Sequence, residues 1–342
     1  MKLSDFDYNL PAELIAQDPL KDRDSSKLLI IDNKNNFIHD SFINIPEYLN
    51  ENDVLVFNDS KVFNARIFAK KEKTGGVFEF LLLNPENAEK TLWTALVNPG
   101  RRAKIGNKFI IAENALECEI MERHDDGIRL IKLSYEGSLM EILKKHGEPP
   151  LPPYIKTRLE DDDRYQTVYA KKYGSIAAPT AGFHFTKAVF NKLKDKNIKY
   201  FFITLHVGVG TFRPVKADNI KEHVMLPEYY EINKDTLACL NEEKRKGSNI
   251  VAVGTTAART MESSSGKNAL LVKDKDWTDL FIYPGYKFKF VDSLITNFHL
   301  PKSTLLMLIS ALKGGDIIKK AYKEAIDKKY RFYSFGDAMF IR

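Results

Sequence analysis

Apolar and polar positions fall into two textures along the chain. Near the start, KLLIID (Lys27 to Asp32) and DVLVF (Asp53 to Phe57) are apolar runs of strand length, and the NKNN turn signal separates the first from FIHDSFI. From about Val62 to Tyr135 the runs are short and alternating: VFEFLLL, LWTALV, KFIIA and IRLIKLSY. Turn clusters at Gly75-Gly76, Asn98 to Arg102 and His124 to Gly127 divide them. This texture predicts an all-β module of roughly six strands, a small barrel. Ser138 and Glu141 have capping-box spacing ahead of Leu139, Ile142 and Leu143, and Gly147 follows as a stop, so a helix is expected from Ser138 to His146.

From Thr186 onward the period alternates between helix and strand: TKAVFNKLKDKN, IKYFFITLHVG, DTLACLNEEKRKG, NIVAVG, TTAARTMES. DLFIYPG and LITNF follow. Then come a helix STLLMLISALKGG with Ser303 as N-cap, a Lys-rich helix from Asp316 to Lys329, and a strand-like YRFYSFGDAMFI. The expected fold class is α/β. Residues 1–60 and 140–342 are expected to form the main α/β domain, with an all-β barrel-like domain inserted at 61–139. GEPPLPPYI (Gly147 to Ile155) reads as a stiff proline-rich linker.

Length and composition agree with this picture. The 342 residues suit about two domains, and 44% hydrophobic content is enough for a real core, which excludes disorder as the main state. Charge is mildly basic, 52 − 46 = +6, and becomes informative only where it is concentrated. No apolar run approaches the roughly 20 residues of a membrane span. Ser4, Asp5 and Asp7 interrupt the N-terminal segment, so neither a signal peptide nor an anchor is expected. Cys118 and Cys239, alone and far apart, offer no disulfide framework and no CxxC site, and a reducing cytoplasm is the simplest home.

Phosphate-loop, zincin, nucleophile-elbow and EF-hand motifs are absent. SSSGKN has Met261 where a phosphate loop needs its first glycine and Asn268 where it needs a hydroxyl, so it reads as a surface turn. Glycines follow strands in LHVGVGTFRP and VAVGTTAART, where open α/β sheets bind ligands. Gly208, Gly210, Thr211, Arg213, His206, Thr255, Thr256 and Arg259 gather there, although a tight turn explains a lone GxG as well. GSIAAPTAGFHFT sets Thr180, Gly182, Phe183 and His184 in a small-residue loop suited to a flat ligand; a core turn beside a buried histidine is the alternative. Asp279, Tyr283, Asn297, Phe298 and His299 add polar and aromatic density to Asp276–Thr304. The spacing of the histidines and the lack of a cysteine partner predict no metal site.

Read together, GEPPLPPYI, RYQTVYA, APTAGFHFT, TLHVGVGTFRPV, EHVMLPE, VGTTAARTMES, DLFIYPGYKFKFVDSLITNFHLPKSTLLML and YRFYSFGDAM resemble one family. It is the S-adenosylmethionine:tRNA ribosyltransferase-isomerases of queuosine biosynthesis, and the resemblance runs from LSDFDYNLP to the C-terminus. The chain departs from the family at Leu226, where a second histidine usually follows His223 and Met225. The resemblance implies transfer and isomerisation of the ribosyl part of S-adenosylmethionine onto a 7-aminomethyl-7-deazaguanine wobble base of tRNA with a GUN-type anticodon. Epoxyqueuosine-tRNA, adenine and methionine would be the products. S-adenosylmethionine is then a substrate, no cofactor is implied, and a cytoplasmic monomer is expected.

That chemistry needs a base for the acidified C–H beside the sulfonium and an acid for departing adenine. His184, His206, His223, Glu228, Asp279 and His299 form the candidate set, with Tyr283 able to orient the acid. Phe183, Tyr283 and Phe298 offer aromatic faces to the sulfonium, and Arg213 or Arg259 suits the methionine carboxylate. Tyr165, Thr180, Gly182, Thr255, Thr256 and Asn297 complete the substrate-binding set. For tRNA, Arg101, Arg102 and Lys104 are the phosphate candidates, with Tyr154, Arg164 and Tyr165 nearer the cleft. An RNA methyltransferase would instead carry GxGxxG after its first strand, and a non-catalytic RNA binder would carry more charge.

Overall fold

The computed structural model describes residues 1–124, 127–157, 159–212 and 215–342, without the side chains of Thr211 and Phe212. Two compact units emerge: Met1–Lys61 with Pro153–Lys172 and Ala178–Arg342, and Val62–Pro152 with Tyr173–Ala177. In chain order the first unit opens with strands β1 (Lys27–Ile31), β2 (Phe37–Ser41) and β3 (Asp53–Asn58). β4 (Ser60–Val62) carries the chain into the second unit, whose strands are β5 (Arg66–Lys71), β6 (Val77–Pro85), β7 (Leu92–Asn98), β8 (Lys108–Ala112), β9 (Leu116–Arg123) and β10 (Ile128–Tyr135).

These six strands close into an antiparallel barrel in the order β10-β7-β6-β5-β8-β9. Alternation drives the closure: Ile67 and Ala69, Phe78 and Phe80, Trp93 and Ala95, Cys118 and Ile120 all point inward and are buried. Burial pushes the Cys118 thiol pKa up. Asp125 and Asp126, in the expected turn at His124 to Gly127, lie outside the described residues. Helix α1 (Leu139–His146) follows. The sequence pattern ends the barrel domain at 139, whereas the second unit continues to Pro152. Backbone pairing explains the difference: Arg66 and Glu148 exchange hydrogen bonds of 3.1 and 2.8 Å, and Asn64 donates to the Gly147 carbonyl at 3.1 Å.

β11 (Lys172–Ser175) spans the next crossing between units. It is followed by α2 (Lys187–Asp195), β12 (Lys199–Leu205), β13 (Glu228–Glu231), α3 (Lys234–Arg245), β14 (Asn249–Val253), α4 (Thr255–Ser264), β15 (Lys275–Thr278), β16 (Ser293–Asn297), α5 (Thr304–Lys313), α6 (Gly315–Asp327) and β17 (Ala338–Ile341). Side-chain caps fix three helix starts, since Thr186, Asn233 and Ser303 accept from the backbone N–H groups of Val189, Asp235 and Leu306. Gly254 caps α4 at φ 91°, a left-handed geometry that favours glycine.

The first unit is built on a nine-stranded mixed sheet in the order β15-β13-β12-β3-β14-β16-β17-β1-β2. Its central block β12-β3-β14-β16 is parallel. The carboxyl ends of those strands, at Leu205, Asn58, Val253 and Asn297, therefore lie along one edge. Under α2 the core gathers Leu55, Phe57, Phe185, Val189, Leu193 and Val253. Among the described residues no helix is long and apolar enough to cross a membrane.

Candidate functional site

The residues just beyond the four parallel strand ends form the candidate site. Asn58 ties two of them together, donating to the Leu205 carbonyl at 3.0 Å and accepting from the Leu205 N–H at 2.9 Å. Next to it, Asp59 is buried, and its carboxylate accepts from the Thr204 hydroxyl at 2.6 Å. Burial outweighs that hydroxyl and the nearby Lys172 and Lys171, so the carboxyl pKa is raised. Asp59 is not among the sequence candidates. Its only signal is a polar Asn-Asp-Ser immediately after the buried run DVLVF.

At the end of β12, His206 is half-buried, and its Nδ1 is buried without a hydrogen-bond partner among the described residues. Burial, reinforced by Lys172 and opposed by Glu231, lowers its pKa to about 4, so the ring is neutral at pH 7. The buried Thr256 hydroxyl, in the first turn of α4, also lacks a partner. Thr255 is buried at the start of that helix. Two polar atoms without partners among the described residues, beside a carboxyl of raised pKa, mark these strand ends as chemically unfinished.

Other sequence candidates are committed to the protein itself. Thr180 donates to the Asn297 side-chain oxygen at 3.0 Å, so the Asn297 amide N–H faces His184 Nε2 at 3.1 Å and the ring proton sits on Nδ1, donating to Ser26 at 2.7 Å. Burial lowers the His184 pKa to about 4. The cavity beside it, bounded by Arg23, Phe183 and Arg331, holds only about 20 Å³, enough for no more than a water. His299 shares a 2.9 Å hydrogen bond with Thr296. Its backbone N–H donates to Tyr322 at 2.8 Å, and its carbonyl accepts from Tyr8. Burial brings its pKa down to about 3.

Phe298 lies in the core between Tyr322, Tyr330 and Phe332. Phe183 packs on Tyr165 and Phe335, with the Arg23 guanidinium 5.3 Å from its ring centre. Gly182 serves packing as well: a Cβ there would collide with the Tyr169 hydroxyl oxygen and fall 2.8 Å from a Thr167 methyl. Glu228 and Arg259 form a buried ion pair. Arg259 also donates to the Leu280 carbonyl at 3.1 Å, and Glu228 accepts from the Gly208 N–H at 2.9 Å. A Cβ on Gly210 would meet Leu226 at 3.3 Å, so the residue that departs from the family pattern packs against the glycine loop.

The His223 and Phe281 rings meet edge to face, Phe281 packs on Tyr283, and Asp279 is exposed. Thr211 is described in its backbone alone, and Arg213 lies outside the described residues. Tyr154 shares a 2.6 Å hydrogen bond with Ser334, and Arg164 donates to the Leu20 and Lys21 carbonyls, so both hold the first unit together. Arg101, Arg102 and Lys104 are exposed in the barrel unit.

The sequence gives no signal for a cavity of about 510 Å³ in the first unit, lined by Phe6, Tyr8, Leu306, Ile318 and Tyr322 together with Asp5, Asp7, Asp316, Lys319 and Lys323. Tyr8 and Tyr322, which clamp the His299 backbone, join it to the end of β16. Among the described residues, no group of three or more His, Cys, Asp or Glu side chains is arranged to hold a metal ion.

Comparison with known proteins places this arrangement. A solved structure of the S-adenosylmethionine tRNA ribosyltransferase from Thermotoga maritima is similar over 99% of this chain and 100% of that one, with 37% identity and a TM-score of 0.56. The family described as "Queuosine biosynthesis protein" matches residues 3–341, and the chain belongs to that family.

Proposed function

We propose that this protein transfers and isomerises the ribosyl moiety of S-adenosylmethionine onto the 7-aminomethyl-7-deazaguanine wobble base of tRNA with a GUN-type anticodon. The products are epoxyqueuosine-tRNA, adenine and methionine. The observation that carries this reading is the match, over nearly the whole chain, to a solved S-adenosylmethionine tRNA ribosyltransferase. S-adenosylmethionine is consumed as a substrate, with no separate cofactor, by a cytoplasmic monomer.

The site chemistry supports this reading. A sulfonium acidifies the adjoining C–H, and a neutral imidazole at the strand ends accepts that proton; His206 there has a ring nitrogen without a partner among the described residues. Adenine departs more readily when a ring nitrogen is protonated. A carboxyl of raised pKa retains its proton nearer neutrality, which suits Asp59 to that donation. With Phe183 and Phe298 packed into the protein, Tyr283 is the candidate aromatic face left to the sulfonium. With Arg259 held by Glu228, Arg213 is the remaining cation for the methionine carboxylate. Arg101, Arg102 and Lys104 take tRNA phosphates.

Mass spectrometry after incubation with S-adenosylmethionine and tRNA bearing the precursor base tests the reading. Free adenine, free methionine and a nucleoside heavier by a ribosyl-derived group are expected. S-adenosylhomocysteine with a methyl-sized gain would replace the reading with methyl transfer.

A further inference from the structure

One surface beside the strand ends remains unused by the chemistry above. His206 pairs with Tyr229 of β13 through a 2.9 Å backbone hydrogen bond, and Tyr229 stands opposite Trp277 of edge strand β15 in the antiparallel register. The three side chains therefore form one row across three strands. The His206 and Tyr229 rings are near-parallel, 18° apart with centres 6.2 Å apart, and Trp277 meets Tyr229 edge-on at 5.6 Å. Their neighbours Glu228 and Thr278 are buried on the opposite face, where Arg259 and Ser263 of α4 bond to them. The row thus lies on the face away from α4.

Trp277 is 55% exposed, so a large flat ring is left in solvent at the sheet edge. His206 and Tyr229 are partly covered, and nothing covers the outer ring among the described residues. Charges of both signs flank it. Lys275 shares the Trp277 face two residues away and is exposed, Lys171 is exposed, and Lys172 holds Glu231 at 3.0 Å. Flat rings leading to a strand-end imidazole, with lysines alongside, match how proteins seat unpaired nucleobases: stacking takes any base, and cations follow the backbone.

We infer that Trp277, Tyr229 and His206 form a stacking platform for single-stranded bases of the tRNA anticodon loop. Trp277 receives a flanking base, and the row leads the target base toward His206. The inference rests on the tRNA reading above and adds to it a recognition surface.

The chain has two tryptophans, and Trp93 is buried inside the barrel, so acrylamide quenching of the wild-type protein reports mainly on Trp277. Adding an anticodon stem-loop RNA should shield Trp277 from acrylamide. Trp277→Ala should raise the Kd for that RNA roughly tenfold, and Trp277→Phe should recover most of the loss. Unchanged quenching with the stem-loop bound would overturn the platform and leave the tRNA reading standing. Equal shielding by a fully paired duplex of the same length would do the same. Absence of binding to any tRNA would overturn both.

Discussion

The Glu228–Arg259 pair decides whether a conspicuous cation serves the fold or the ligand. Its side chains are 3% and 7% exposed, and the guanidinium also satisfies the Leu280 carbonyl. Arg259→Met would leave the Glu228 carboxylate buried with the Gly208 N–H as its donor, at 2.9 Å, and would strip Leu280 of the guanidinium. Breaking one side of a buried pair costs about 3–5 kcal/mol. Glu228→Gln keeps the shape and one acceptor, and should cost about 1–3 kcal/mol. Because both changes remove the same interaction, the double variant should be no less stable than Arg259→Met alone. Urea denaturation followed by far-UV circular dichroism measures this. At a slope of about 1–3 kcal/mol per molar, the Arg259→Met midpoint should fall by at least about 1 M. A variant with an unchanged midpoint and a tenfold higher KM for S-adenosylmethionine would refute the structural assignment and return Arg259 to the methionine carboxylate.

Gly182→Ala forces a methyl onto the Tyr169 hydroxyl and should cost about 1–3 kcal/mol in thermal denaturation, with partial rescue by Tyr169→Phe, which removes the clashing oxygen. The pKa values of His184, His206 and His299 lie at about 4, 4 and 3 in the fold against 6.5 for the free side chain. Their neutral forms therefore stabilise the fold fully above pH 6.5, and that stability is lost as pH falls toward 4, on the order of several kcal/mol in all. Asp59, with its pKa raised, contributes in the opposite sense, losing stability as pH rises through its folded value. Urea midpoints against pH should show the acid-side loss, and His184→Gln with His299→Gln should flatten it. Asp59→Asn should lower kcat by about 10²–10⁴-fold with little change in KM, measured by adenine release; unaltered turnover removes Asp59 from the chemistry. Arg101→Ala with Arg102→Ala should weaken tRNA binding and flatten its salt dependence while leaving S-adenosylmethionine binding intact, measured by titration at several salt concentrations.

The sheet, its helices and the barrel were legible because burial follows period. Runs such as DVLVF and NIVAVG are continuous where both faces are covered, and LWTALV alternates where one face turns inward. In two barrel strands, RIFAKK and LECEIMER, the alternation is blurred, because Phe68 and Met121 stand outward among the charged residues. The edge strand KDWT and its neighbour EYYE escaped because each is only four residues long and carries charges. Ser138 starts α1 without the side-chain cap that its spacing suggested. Toward the candidate site, histidines and glycines beside strands pointed to the strand ends. Spacing alone could not separate His206, whose Nδ1 has no partner among the described residues, from His184, held by Ser26 and Asn297, since their partners come from distant segments. Asp59 and the row through Trp277 depend on strand pairing, which brings together residues 59, 204, 206, 229 and 277.

The most direct test of the central claim follows labelled carbon from S-adenosylmethionine into tRNA carrying the precursor base. With the label in the ribosyl carbons, the account predicts labelled tRNA nucleoside and unlabelled adenine and methionine; with the label in the methyl group, it predicts that all label leaves with methionine. Methyl label in the tRNA, or ribosyl label that never reaches it, would contradict the account.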